Sequence, residues 1–160
     1  MPVFNHRFTV RASLEAVRAF HQGDAGTAFK ALAPPGTPVT FSQPMSVMTD
    51  GAVLEFTMWM GGVVPIRWKA LHSNVTTDGF VDTMTEGPVK SWKHTHRFLA
   101  MTDASTAVED HIVYEYGPGA RGAIAALLFN PLALRILFLW RTHATRRALE
   151  GRGLRKPLLP

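Results

Sequence analysis

The chain has 160 residues, a net charge of +5 and a mean hydropathy of +0.03, the size and balance of one globular domain with its own core. It contains no cysteine, which excludes disulfides and thiolate metal sites and fits a reducing compartment. Residues 1–115 carry 9 Lys/Arg against 11 Asp/Glu, whereas residues 116–160 carry 8 against the single Glu150. Such asymmetry can mark a nucleic-acid or anionic membrane surface. No aromatic-interleaved basic strand or recognition helix accompanies it, so nucleic acid is not expected as a partner.

The opening M-P-V-F-N-H-R lacks the basic-then-apolar pattern of an export signal, which predicts a cytoplasmic protein. Pro2 to Arg11 then alternates, with Phe4, His6, Phe8 and Val10 on one face, as in a half-buried strand. Ser13 is a good N-cap for a helix running to about Gln22. A second short helix is expected over Ala25 to Leu32, ended by Pro34, Pro35, Gly36 and Pro38.

Val39 to Met48 reads as a strand, with Pro44 making it an edge or a bulge. Turn signals at Asp50-Gly51, Gly61-Gly62 and Asp78-Gly79 separate further strands over Ala52 to Met60, Val63 to Val75 and Phe80 to Thr85. Trp92 to Met101 and Ala107 to Tyr116 complete about six to seven strands. One long helix is expected over Ala120 to Glu150, kinked at Pro131. From Gly122 to Trp140 it is apolar on nearly every side, which is normal for a helix buried on most sides. Arg135, Asn130 and the preceding sheet argue against a membrane span. A single domain over residues 1–150 results, followed by a basic, disordered tail over 151–160.

Side chains two apart on a strand share a face. Trp92, His94, His96 and Phe98 therefore point one way, opposite Lys93, Thr95 and Arg97. Asp110, Ile112, Tyr114 and Tyr116 point inward by the same test, as do Phe80, Asp82 and Met84, while His111 faces out. The side taken by His72 is left open. Adjacent strands lie about 4.8 Å apart, so Asp–His contacts across the sheet are within reach. Burying imidazoles and carboxylates is costly unless each finds a partner. This inner face is either a satisfied core network or the wall of a binding cavity.

The order strand, two short helices, antiparallel strands and a long C-terminal helix resembles the helix-grip arrangement of the SRPBCC superfamily. That superfamily includes START lipid-transfer domains and bacterial polyketide cyclase/dehydrase-like proteins. The run Phe80-Val81-Asp82, Gly87-Pro88, Trp92-x-His94-x-His96-x-Phe98, Thr106, Asp110, Tyr114 and Trp140-Arg141 is similar to one bacterial ligand-binding branch. The resemblance implies an α+β fold whose curved sheet and C-terminal helix enclose a cavity. It implies binding, or transport, of a hydrophobic small molecule or lipid, with no cofactor.

Within that frame the expected ligand-binding residues are His6, Phe56, Met58, Trp68, Trp92, His94, His96, Phe98, Asp110 and Tyr114. Cavities of this kind are mostly apolar with a few convergent polar groups. The alternative is an enzyme of the cyclase/dehydratase type. His94 or His96 would then move a proton, Asp82 or Asp110 would orient the imidazole, and Tyr114 would bond a carbonyl. An H-x-H strand with an inward Asp can also offer three metal ligands, but the spacing is weak evidence and no metal is expected. Contact with an anionic membrane, or pairing with a second copy, would use the apolar helix and the cations Arg141, Arg146, Arg147, Arg152, Arg155 and Lys156.

Overall fold

The computed structural model describes residues 1–23, 25–43 and 47–151. Strand β1 (Val3–Val10) is followed by helices α1 (Leu14–Gln22) and α2 (Ala25–Leu32), at the bounds expected to within a residue or two. Ser13 caps α1 by accepting a 3.3 Å hydrogen bond from the Ala16 amide. Next come β2 (Val39–Phe41), β3 (Val53–Met60), β4 (Val64–Thr76), β5 (Gly79–Glu86), β6 (Ser91–Thr102) and β7 (Ser105–Glu115). These strands form one sheet in the order β1-β7-β6-β5-β4-β3-β2, antiparallel throughout.

Two expectations about the elements need correction. The strand read over Val39 to Met48 is only three residues long, and Pro44 lies outside the described residues, as does the tail from 152 onward. The single C-terminal helix is two helices, α3 (Gly119–Leu128) and α4 (Pro131–Glu150), bent by 43° at the break. Asn130 causes the break. Its side-chain oxygen accepts from the Leu132 and Ala133 amides, so it is an N-cap, and Pro131 takes the first helical turn, where no amide is needed.

The period-two pattern decides what the sheet buries. Along β6 the buried residues are Trp92, His94, His96 and Phe98; along β7 they include Val108, Asp110, Ile112 and Tyr114. Helix α4 lies across this face, with Leu134 and Phe138 each 1% exposed. This is the curved sheet around a C-terminal helix anticipated from the order of elements. One glycine is required by the packing. Gly79 opens β5 at φ +145°, and a side chain there would strike the His96 carbonyl. No single described helix is long and apolar enough to cross a membrane.

Candidate functional site: a cavity floored by a histidine–aspartate chain

The strand register sets two rows of alternating imidazole and carboxylate side by side. In one row His72 on β4, Asp82 on β5 and His94 on β6 are direct neighbours. In the other, His96 on β6, Asp110 on β7 and His6 on β1 are neighbours. Hydrogen bonds also cross between the rows. His94 donates from Nε2 to Asp110 Oδ1 at 2.9 Å, and His96 donates from Nε2 to Asp82 Oδ2 at 3.2 Å. His96 Nδ1 stands 3.1 Å from Asp110 Oδ1, and His72 Nε2 stands 3.0 Å from Asp82 Oδ1. The latter two contacts are close but off the hydrogen-bond line, leaving His96 Nδ1 and both His72 nitrogens without a well-aligned partner. The result is a chain of five groups: His72, Asp82, His96, Asp110, His94.

His96 is the hinge of this chain, because each of its nitrogens meets a carboxylate. Two protons are needed to serve both, so the imidazolium is favoured. Burial pulls its pKa down, but Asp110 and Asp82 outweigh burial and hold it above 6.5. Burial likewise penalises both carboxylates, and their imidazole partners more than reverse it, so Asp82 and Asp110 stay below the usual range. His94 goes the other way. Burial, with the charge on His96 adding to it, pushes His94 down to about 4 against the pull of Asp110. The two rings are in contact, 3.7 Å between centroids and tilted by 37°, a proximity that disfavours charge on both.

Asp82, His94 and His96 also bring three metal-type donor atoms within 4.8 Å of one another. As the side chains stand, His94 Nε2 is bonded to Asp110 and His96 Nε2 to Asp82. A shared ion would have to displace these hydrogen bonds.

Next to this chain is a cavity of about 120 Å³. Its apolar wall holds Phe56, Met58, Trp68 and Trp92, four of the residues expected there, joined by Phe29 and Phe129. The rings interlock, with Trp68 and Trp92 edge to face at 5.4 Å and Phe29 and Phe56 at 4.4 Å. Its polar end holds Asp82, His94, His96 and His72.

Four expected residues lie off this cavity. His6 donates from Nε2 to Thr142 Oγ1 at 2.7 Å, since the hydroxyl's own hydrogen goes to the Phe138 carbonyl. It ties β1 to α4, and burial lowers its pKa. Phe98 lies beneath α1, stacked on His21 at 5.2 Å. Asp110 stands one step behind the wall, holding His94 and His96. Tyr114 is fully buried beside Trp92, and its hydroxyl has no partner among the described residues. Burial, with Tyr116 beside it, pushes that phenol up to about 12.

Three polar residues line the cavity without having been singled out for it. His72 is 2% exposed and faces in. His21 sits one turn after buried Val17 on α1, a signal that the i, i+4 spacing carried. Burial, then the charges on His96 and Arg141, pushes His21 down to about 3. Arg141 corrects the expectation that it belongs to a solvent-facing cationic surface. It lines the cavity from α4, half-buried, with its guanidinium carbon 5.2 Å from the Phe138 ring centre. No ion pair or hydrogen bond joins it to the described residues, although Asp110 and Asp82 act on it through space. Arg146, assigned to the same surface, donates twice to the Thr9 carbonyl, at 3.0 and 2.9 Å.

No family model matches the chain, and no curated protein matches it. Solved structures do. A protein of Chromobacterium violaceum matches with a TM-score of 0.73 at 10% identity, covering 94% of this chain and 99% of that one. A START superfamily protein from Mycobacterium smegmatis matches with a TM-score of 0.67 at 9% identity, covering 94% and 98%. Norcoclaurine synthase from Thalictrum flavum, in complex with dopamine and hydroxybenzaldehyde, matches with a TM-score of 0.66 at 16% identity, covering 97% and 88%.

Proposed function

Starting from a chain with the helix-grip fold of START-like structures, we propose that this protein binds a hydrophobic small molecule between its sheet and α4. The observation that carries this reading is a cavity with aromatic rings on one wall and His94, His96, Asp82 and Arg141 on another. Its volume of about 120 Å³ is close to the ~150 Å³ of an apolar cavity that takes up benzene, and well below the 300 Å³ or more of most drug-sized sites. The proposed ligand is therefore compact, about one ring in size, and a lipid chain would need the cavity to open. The polar end orients it. The START-like neighbours and the Thalictrum enzyme's single-ring ligands are in keeping with such an occupant. A cytoplasmic location belongs to the same proposal.

A second reading, general acid/base catalysis of the cyclase/dehydratase type, is favoured by one specific observation. His94 and His96 are adjacent, yet their environments push their pKa values to opposite sides of 6.5. A neutral base beside a charged acid is the usual mark of proton-transfer chemistry. His94→Ala and His96→Ala separate the two readings. If they change affinity for a small molecule that co-purifies with the protein and no turnover of it exists to lose, the protein is a binder. If they abolish turnover and keep affinity, it is an enzyme.

A further inference from the structure

Helix α4 is apolar on both sides but buried on only one. Leu134 and Phe138 face the sheet, 1% exposed. On the far side Leu132, Ile136 and Leu139 are 67%, 62% and 55% exposed, spaced i, i+4, i+7 so that they share one face. Across the bend, Ile124 and Leu127 on α3 add two more large apolar groups, 59% and 72% exposed. Contiguous exposed apolar surface of this kind marks an interaction site.

The charges around the stripe say what covers it. Arg121, Arg135 and Arg147 are exposed on the same two helices, and none forms an ion pair with a described residue. No Asp or Glu occurs between Tyr116 and Leu149. A second copy meeting this face about a two-fold axis would set arginine against arginine. The face also lacks the aromatic anchors of protein interfaces, because Trp140 turns inward and donates from Nε1 to the Ala33 carbonyl at 3.0 Å. Aliphatic side chains amid unpaired arginines match the acyl-headgroup boundary of an acidic bilayer instead.

We propose that the outer face of α3 and α4 docks on an anionic lipid membrane. The other side of α4 lines the cavity with Leu137 and Arg141, so docking places a cavity wall at the bilayer, where apolar molecules partition. The inference goes beyond the cavity reading and does not depend on the ligand.

Flotation with two kinds of vesicle tests it: phosphatidylcholine alone, and phosphatidylcholine mixed with phosphatidylglycerol. The full chain is expected to float with the mixed vesicles only, and less so as salt is raised. Arg135→Gln and Arg147→Gln should each weaken binding roughly fivefold. Ile136→Ser combined with Leu139→Ser should weaken it at least as much, with an unchanged melting temperature and unchanged ligand binding. Absence of flotation overturns the proposal, and so does flotation that survives the paired serine substitutions. A dimer seen by light scattering and lost on those substitutions overturns it too, by assigning the face to a second copy. Flotation failing while ligand still binds leaves the cavity reading intact.

Discussion

His96 meets two carboxylates at once: Nε2 lies 3.2 Å from Asp82 and Nδ1 lies 3.1 Å from Asp110. The ring that joins them is consequently biased toward the cation, while its neighbour His94 is held neutral. Nitrogen-15 NMR of the imidazoles checks this directly. His96 should keep two protonated nitrogens to a higher pH than an ordinary histidine, and at neutral pH His94 and His21 should show one each. His94 should titrate near 4 and His21 near 3.

The same shifts predict a pH profile of stability. His94 and His21 bind protons more readily in the unfolded chain, so stability falls as pH drops from about 6.5 toward 4. His96 has the opposite sign. Its contribution is complete below about 6.5 and is lost as pH rises through its raised folded value. Asp82 and Asp110 add stability above about 3.8 that disappears as they protonate at lower pH. Calorimetry across pH should show the melting temperature dropping on the acid side, less steeply in His21→Phe, and on the alkaline side in wild type but not in His96→Gln.

Removing Asp110 leaves a buried imidazolium with one partner instead of two. Asp110→Ala should cost about 3–5 kcal/mol in urea denaturation, the usual penalty for breaking a buried pair. Lys90→Ala breaks an ion pair of 2.7 Å, but its partners are 57% and 38% exposed. That substitution should cost less than about 1 kcal/mol. Equal costs would mean that the buried chain is solvated.

How much of this was legible before the structure follows from strand geometry. On β6 and β7 the period of two places every second residue inward, so Trp92, His94, His96 and Asp110 could be assigned from the sequence alone, whereas on β3 burial stops alternating after Phe56 and the count does not fix the inner set. His72 was legible too, because Ile66, Trp68, Ala70 and His72 are buried at every second position of β4, so the count from Trp68 carries it inward. Arg141 was hidden for a different reason. A helix apolar on all sides gives no moment from which to tell its inner face. Pro131 was read as a kink, when the decisive residue was its neighbour Asn130, whose side chain caps a new helix.

Arg141 supplies a prediction of its own. Its charge lowers the pKa of His94 and His21, so Arg141→Met should raise both, visible in the same NMR titration. Isothermal titration calorimetry should also show ligands with a carbonyl or acidic group losing about tenfold in affinity, or ~1.4 kcal/mol, while purely apolar ligands are unaffected.

The central claim is that the cavity takes up a hydrophobic small molecule. Ala70 lines it and is 2% exposed, and the three added carbons of Ala70→Leu would occupy the space a ligand needs. Because the extra volume enters a void, stability should change by no more than about 1 kcal/mol. Native mass spectrometry of wild type and Ala70→Leu, both challenged with an extract of the expression host, compares them most directly. The account predicts one equivalent of a compact apolar molecule on wild type, released on denaturation, and none on Ala70→Leu. The bare chain mass for wild type, or the same adduct on both proteins, would contradict it.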